Sequence, residues 1–251
     1  MADISTDTLA KEISEKLTVD EPAGEVAVEA VEVEAVEVEA VDSTDSAEST
    51  EKGEKTVFDS PVDFTVIHPL MHTWTLWYTK PPQQGVKQDW NDMLKEVATF
   101  DTVEQFWGVY NNIAKASDLA LKADYHLFKK GIRPEWEDSQ NENGGRWSFQ
   151  CKDKRSYNID MLWLHTMLGA IGETVEQESD DEVMGVVVNV RKALFRISVW
   201  TRTHNNEQTL LDIGRRFKML LQLHGNDLVE FTSHREASIS GSSRAKARMT
   251  A

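Results

Sequence analysis

The sequence predicts an α+β fold, in which an antiparallel sheet carries three amphipathic helices on one face. Three observations support this class. Several short segments alternate apolar and polar residues, as in MHTWTLWYTK from Met71 to Lys80. Three longer segments instead repeat apolar residues every three or four positions. The connections between strands have hairpin lengths, which favour antiparallel neighbours. One face of the sheet is then left free of helices.

The sequence predicts strands, helices and loops at specific segments. Strands are predicted in MHTWTLWYTK, DYHLFKKGI, RWSFQC and both halves of VMGVVVNVRKALFRISVWTRT. Helices are predicted in FDTVEQFWGVYNNIAKAS, NIDMLWLHTMLGAIGE and NNEQTLLDIGRRFKMLLQL. Asp101 or Thr102 can cap the first helix, with Glu104 close behind, and Gly172 lies near the end of the second. PPQQG and the polar segment from Pro134 onward are predicted loops.

Charge separates a tail from the domain. The chain of 251 residues has a formal net charge of −16, and residues 1–60 hold 18 acidic against 4 basic residues. The Val/Glu/Ala alternation within residues 1–60 offers few apolar side chains to bury. We therefore predict that this segment is a disordered acidic tail, with a helix or strand formed on binding as the alternative. All 8 Trp lie between Trp74 and Trp200. We therefore predict one domain over 61–233 and a mobile C-terminal loop and tail over 234–251.

Several classes of protein are disfavoured. No run of 18 apolar residues occurs, so we expect no membrane span, and the N-terminal segment lacks the apolar core of a signal peptide. Cys151 is the single cysteine, which excludes a disulfide within the chain and fits a half-buried strand residue in a reducing compartment. We expect a cytoplasmic protein, with a nuclear fraction as the alternative, and no cofactor or metal.

Two indoles lie in polar loops, where core residues are uncommon. Trp90 and Trp136 could face each other and form a slot for one flat ring, and a cationic ring would gain cation–π energy from both. Glu137 follows Trp136 directly. A carboxylate can accept the paired N1–H and amine of guanine, which adenine does not offer. The alternative is a surface Trp beside a solvated Glu.

The predicted strand in ALFRISVWTR carries a second group of candidates. Alternation places Phe195, Ile197 and Val199 on one face and Arg196, Ser198 and Trp200 on the other. On the preceding strand Val187, Asn189 and Arg191 share a face. Arginines on an open sheet face suit phosphate groups, since the planar guanidinium pairs with phosphate oxygens. Arg146 could join them, and isolated surface arginines are the alternative.

Together these residues resemble the eukaryotic translation initiation factor 4E family, which binds the 7-methylguanosine cap of messenger RNA. The resemblance covers about Val66 to Gly241. Its motifs are HPLMHTWTLWY, FDTVEQFWGVYNNI, DYHLFKKGIRPEWED, GGRW, LWLHTMLGAIGE and VVVNVRK. It implies a curved antiparallel sheet of about eight strands backed by three helices on the convex face, and a binding protein rather than an enzyme.

The resemblance also implies roles on the concave face. Trp90 and Trp136 would sandwich the methylated base, Glu137 would take its edge, and Trp200 would touch the methyl group. Arg191 and Arg196 would hold the phosphates, with Arg146 and Asn189 acting through water. Two Trp in the slot favour the activator type over variants in which another aromatic replaces one of them. Ala193 stands where a basic residue is common, and His234 and Ser242 would match a phosphate-side position and a phosphorylation site.

A convex partner site is implied as well. Its ligands would be a scaffold of the initiation factor 4G type and competing proteins, each with a Tyr-x-x-x-x-Leu-apolar helix, bound by apolar anchors in a groove. His165 replaces an acidic residue that is common there. From its neighbours alone, Trp107 would be assigned to the core. The matching positions are His68, Pro69, Leu70, Val103, Trp107, Leu164, Leu168 and Glu173.

The residues alone leave two alternative functions open. Trp platforms with a nearby Glu also suit sugar or nucleotide hydrolysis. The pocket would then need a carboxylate pair, a nucleophile with its base, or metal ligands, and no such motif is found in the sequence. A protein-interaction module without cap affinity is the second rival. We expect neither membrane nor DNA as a partner.

Overall fold

The computed structural model describes residues 66–83, 85, 89–177, 180–225, 227–239 and 247–251. The predicted acidic tail over 1–60 and the predicted phosphorylation site Ser242 lie outside these residues. The described residues form an eight-stranded sheet. Its strands are β1 (Pro69–Thr79), β2 (Leu94–Thr102), β3 (Asp124–Lys129), β4 (Gly145–Cys151), β5 (Val183–Val190), β6 (Phe195–Thr201), β7 (Glu230–Ser233) and β8 (Met249–Thr250). They lie in the order β2-β1-β3-β5-β6-β4-β7-β8. Each pair of neighbouring strands is antiparallel. The α+β fold predicted from the sequence is therefore confirmed.

The strands fall largely where alternation predicted them. The hairpin of β5 and β6 pairs Val190 with Phe195 across its turn. Three strands, β2, β7 and β8, were not predicted as separate elements. Of these, β2 does alternate, with Leu94 and Phe100 buried.

Three long helices match the predicted ones, and two short ones are additional. The Thr102 hydroxyl caps α2 by accepting from the Gln105 N–H at 3.2 Å. Asn158 caps α3, and Gly172 ends it. The helices are α1 (Trp90–Met93), α2 (Val103–Asn112), α3 (Ile159–Ile171), α4 (Glu207–Leu220) and α5 (His234–Ile239). No helix in the described ranges is long and apolar enough to cross a membrane.

The main core lies between the sheet and the long helices. Phe195, Ile197 and Val199 point into it, as alternation predicted, and so does Cys151, which is buried rather than half-buried. The opposite face of the sheet also carries packed side chains. Five buried residues form a second cluster there, and Trp136 packs against it. They are Phe128, Ile132, Met184, Val187 and Trp200.

The end of the chain differs from the mobile segment predicted over 234–251. Residues 234–239 form α5, in which Ala237 is buried. Strand β8 extends the sheet: Arg248 N donates to Phe231 O at 2.8 Å, and Ala251 N to Val229 O at 3.1 Å. Main-chain hydrogen bonds to an open sheet edge need no apolar side chains, so a Ser- and Arg-rich composition gave no sign of this strand.

Candidate functional site

A cavity of about 850 Å³ opens on the face of the sheet opposite the main core. All eight residues predicted for the concave site line it. They come from α1, the β3–β4 loop, β4, β5, the β5–β6 turn and β6, so the fold brings together positions spread over more than a hundred residues. These residues are Trp90, Trp136, Glu137, Arg146, Asn189, Arg191, Arg196 and Trp200.

The loop that carries Trp136 and Glu137 is held by its own polar side chains. The Asn141 side chain is fully buried and donates to the carbonyl oxygens of Arg133 at 2.8 Å and Glu135 at 2.9 Å. The Asp138 carboxylate accepts from the backbone N–H of Arg133, also at 2.9 Å. Polar side chains thus fix the backbone of this loop, in addition to the packing of Ile132 and Trp136 on the second cluster. Trp136 is half-buried and Glu137 is exposed, so an indole face and a carboxylate are presented side by side.

Trp90 was predicted in a loop and instead begins the short helix α1. The Asp89 carboxylate caps this helix by accepting from the Asn91 N–H at 3.3 Å. The Trp90 indole meets the His126 ring edge to face, with centroids 6.4 Å apart and an interplanar angle of 87°. Trp90 is half-buried, which leaves part of its ring surface for a ligand.

His126 is a cavity residue that sequence reasoning missed. Its Nε2 shares a 2.8 Å hydrogen bond with the Thr79 hydroxyl, and its Nδ1 is buried without a partner. Burial lowers the pKa of His126 to about 4, so the ring beneath Trp90 is neutral at physiological pH. Alternation in DYHLFK was the available signal, since it places Asp124, His126 and Phe128 on one face.

The cationic end of the cavity is built around Arg191. Its guanidinium donates to both carboxylate oxygens of Asp124, at 2.5 and 2.9 Å, a bidentate arrangement that fixes its orientation. Arg196 and Lys192 line the same cavity. Arg146 is buried, and burial together with Arg196 lowers its pKa to about 10, which leaves it protonated at neutral pH. The cluster provides concentrated positive charge for an anionic ligand.

Trp200 forms part of the cavity wall and is itself nearly covered. Its ring packs edge to face on Phe128 with centroids 5.4 Å apart, and lies 4.2 Å from the His234 ring. His234 is buried behind it rather than presented at the phosphate side. Burial, and then Arg146 and His204, lower the pKa of His234 to about 3. The wall is therefore assembled around neutral histidine rings.

These buried histidines predict a loss of stability in acid. The unfolded chain takes up protons near pH 6.5, whereas folded His126 and His234 resist protonation down to about pH 4 and 3. Stability is therefore fully present above pH 6.5, and the free energy of unfolding falls as pH drops through this window, by up to about 1.4 kcal/mol per pH unit for each histidine. Urea unfolding at pH 7, 6 and 5 measures the slope.

Two histidine variants test whether His234 causes this dependence of stability on pH. His234→Gln should flatten the slope below pH 6.5, and His224→Gln, on the exposed surface, should leave it unchanged. Equal slopes for both variants and the wild type would show that His234 protonation does not destabilise the fold.

The eight positions predicted for a partner lie on the helix-bearing side. His68 joins the start of α2, because Val103 N donates to its carbonyl at 2.9 Å and the Glu104 carboxylate meets its Nδ1 at 2.6 Å. The hydrogen bonds of the Glu104 carboxylate with the His68 ring and with the His68 backbone N–H lower the pKa of Glu104 to about 2. Glu173, just after α3, shares a 2.9 Å hydrogen bond with His72 of β1. Leu70, Leu164 and Leu168 are half-buried against the main core.

Trp107 is surface-exposed rather than buried, which corrects the core assignment its neighbours alone suggested. It is 36% exposed, whereas its neighbour Phe106 is 2% exposed and belongs to the main core. The Trp107 ring is braced edge to face by Phe106 and Tyr110, with centroids 5.1 and 5.7 Å away. An exposed but immobilised indole is a common anchor for a protein partner.

The concave site defines a class of protein. A half-buried indole pair, a rim carboxylate and an arginine cluster in one cavity suit a flat base that carries phosphates. No group of acidic, His or Cys residues that could hold a metal occurs in the described part of the chain. The arrangement is that of a nucleotide-end binder with a separate protein-docking face.

The chain belongs to the eukaryotic initiation factor 4E family, whose model matches residues 69–249. Eukaryotic translation initiation factor 4E-1 of Schizosaccharomyces pombe is 48% identical over 204 residues, which cover 81% of this chain and 92% of that protein. The structure is also similar to Ascaris suum eIF4E-3 in complex with an m2,2,7G cap, with a TM-score of 0.66, 38% identity, and coverage of 74% and 98%. A schistosome eIF4E complexed with m7GpppG and 4E-BP gives a TM-score of 0.66 at 30% identity, with coverage of 74% and 99%.

Proposed function

We propose that this chain binds the 7-methylguanosine cap of messenger RNA in the concave cavity and a scaffold initiation factor on its helix-bearing face. It is a translation initiation factor and not an enzyme. The observation that carries the proposal is the convergence of all eight predicted cap residues on one 850 Å³ cavity in a member of this family. Binding both partners at once would bring capped messages to ribosomes, and this work belongs to the cytoplasm.

Stacking would supply the discrimination for methylation. Methylation at N7 gives the guanine ring a positive charge, and a cation between two indoles gains on the order of 2 kcal/mol or more once it is desolvated. Trp90 and Trp136 occupy opposite walls in this proposal. Trp90 is supported from beneath by the neutral His126 ring, which adds no competing charge.

Glu137 and the arginines would read the rest of the cap. The Glu137 carboxylate is exposed at the rim, free to accept the guanine N1–H and amine. Arg191, held in orientation by Asp124, would donate to the phosphate chain together with Arg196. Arg146 and Asn189 would act through bridging water. Lys192 lies beside Ala193 in the same cavity and supplies positive charge on that turn.

Relatives of known structure support two partners. The schistosome eIF4E was crystallised with both m7GpppG and 4E-BP, and Caenorhabditis elegans eIF4E-3 with the binding protein Mextli and a cap analogue. For this chain we propose a cap-binding domain over 61–233, extended by β8, and partners that carry a Tyr-x-x-x-x-Leu-apolar helix. The helix would lie across α2 and α3, with Trp107 as its central contact.

The test is a pair of titrations that follow tryptophan fluorescence. We expect strong quenching by 7-methyl-GTP and little by GTP at the same concentration, because only the methylated ring is cationic. Equal or absent quenching by both ligands would contradict the cap site. The interaction-module interpretation would then be preferred, and it predicts that partner binding survives Trp136→Ala.

Arg191→Ala is expected to weaken binding of 7-methyl-GTP more than binding of the bare 7-methylguanosine nucleoside. Losing charged hydrogen bonds to phosphate costs roughly 1.5–3 kcal/mol. The side chain of Asp124 is only 10% exposed and loses its partner, so some thermal stability should also be lost. Isothermal titration with both ligands, alongside thermal unfolding, separates the two effects. Equal losses for nucleoside and triphosphate would remove Arg191 from the phosphate site.

A further inference from the structure

One arginine joins the two segments that carry the stacking indoles. Arg133 lies three residues before Trp136, and its side chain reaches across to α1. Its Nη2 donates to the Asn91 side-chain oxygen at 3.0 Å, and its Nε donates to the Glu135 carboxylate at 2.5 Å. Asn91 follows Trp90 and Glu135 precedes Trp136. Each contact is therefore one residue away from a wall of the slot.

The two segments are held very differently without this bridge. Asn141 and Asp138 fix the Trp136 loop by hydrogen bonds to its backbone. Helix α1 has four residues and buries none of them. An element with so little apolar burial depends on polar contacts for its position. Arg133 connects the weakly packed α1 to the well-ordered Trp136 loop.

The chemistry of the arginine side chain fits this bridge. The guanidinium is planar and donates in two directions at once, whereas a lysine ammonium has no fixed fork. Its central carbon lies 5.7 Å from the Trp77 ring centroid on β1, which supports the group against the sheet. The side chain is 47% exposed, so its ion pair with Glu135 adds little to overall stability. Its role is local geometry.

We infer that Arg133 is a positioning residue for the cap slot, which sets the distance and orientation of Trp90 relative to Trp136 before the base enters. This inference rests on the proposed function. With α1 fixed, less conformational freedom is lost when the base stacks. Without the bridge, the ordering of α1 opposes binding, and affinity for the methylated base falls although no ligand contact has been removed.

A double-mutant cycle in the complete 251-residue chain tests the bridge. Arg133→Met keeps the aliphatic stem over Trp77 and removes both hydrogen bonds, and Asn91→Ala removes the acceptor on α1. Each should weaken binding of 7-methyl-GTP roughly threefold to tenfold, the cost of ordering one or two more side chains. Because both break the same bridge, the double variant should be about as weak as either single variant. Arg133→Lys should not restore affinity.

The matched control is Arg215→Met on α4, an arginine that is 61% exposed and pairs with Asp212 at 3.0 Å. Its affinity for 7-methyl-GTP should equal that of the wild type. All variants should unfold at nearly the wild-type temperature, because the groups removed are surface groups. Asn91→Ala removes only an exposed side chain, so it tests the bridge even if Arg133→Met folds poorly.

The outcomes separate this inference from the proposed function. If the wild type does not prefer 7-methyl-GTP to GTP, the proposed function is wrong. If the wild type shows that preference but Arg133→Met binds like Arg215→Met, only the positioning role is overturned. Additive losses in the double variant would also overturn it, since independent effects are not expected of two ends of one bridge.

Discussion

Glu137→Ala is expected to reduce affinity for 7-methyl-GTP by about 30-fold to 1000-fold, one of the two largest effects among the substitutions considered. Two hydrogen bonds from the guanine edge to a carboxylate are lost, and the charged pair contributes roughly 2–4 kcal/mol. Glu137 is exposed in the free protein, so the folded state should be unaffected. Isothermal titration with 7-methyl-GTP and with 7-methylinosine triphosphate, which lacks the amine, measures the effect.

The ligand pair shows whether edge recognition is the cause. The wild type should bind the inosine analogue more weakly, and Glu137→Ala should bind both ligands equally. Glu142→Ala is the matched control, since Glu142 is an exposed carboxylate of the same loop whose contact is the Asn143 side chain at 3.3 Å. Binding of 7-methyl-GTP at full strength by Glu137→Ala would refute the edge-recognition role.

Trp107→Ala is expected to weaken binding of a Tyr-x-x-x-x-Leu-apolar peptide by about 30-fold to 1000-fold while cap affinity is unchanged. Central aromatic anchors contribute on the order of 2–4 kcal/mol to protein interfaces. The ring is 36% exposed and lies across the sheet from the cap cavity, so the two sites should respond independently. Fluorescence anisotropy of a labelled peptide and titration with 7-methyl-GTP measure the two affinities.

Two control variants are compared with Trp107→Ala. Met219→Ala on α4 removes a side chain that is 69% exposed and should leave peptide binding at the wild-type level. Phe106→Ala removes a buried ring of the main core and should destabilise the fold by about 3–5 kcal/mol. If Trp107→Ala unfolds the domain as Phe106→Ala does, Trp107 is a core residue. If it folds and still binds the peptide normally, the partner face lies elsewhere.

The strands and faces were predictable where the period of the pattern is unambiguous. In β6, alternation alone assigned Phe195, Ile197 and Val199 to the core side, and the structure confirms it. The caps at Thr102 and Asn158 follow equally from local chemistry, although only the first was named from the sequence. Strand β2 was missed because its alternation runs directly into helix α2 without a turn.

The site was harder to predict than the fold. Alternation and loop composition, together with the family resemblance, named eight residues of the cavity, but not His126 or Asp124. Both lie in β3, where they alternate with Tyr125 and Leu127, but this strand alone does not show that their face lines a cavity. Their neighbours in space, Val187 and Asn189, come from β5, and only strand pairing shows the contact.

The sequence by itself determined five of the eight described strands and the three long helices, which residues of β6 face the core, and which residues offer an indole, a carboxylate or a guanidinium to the cavity. These properties depend on local periodicity and side-chain chemistry. Only the tertiary structure decided that Trp107 is exposed, that Trp200 is packed between Phe128 and His234, and that Arg133 joins α1 to the Trp136 loop. Those facts depend on contacts between residues far apart in the chain, which follow from how the sheet is paired and curved rather than from any segment alone.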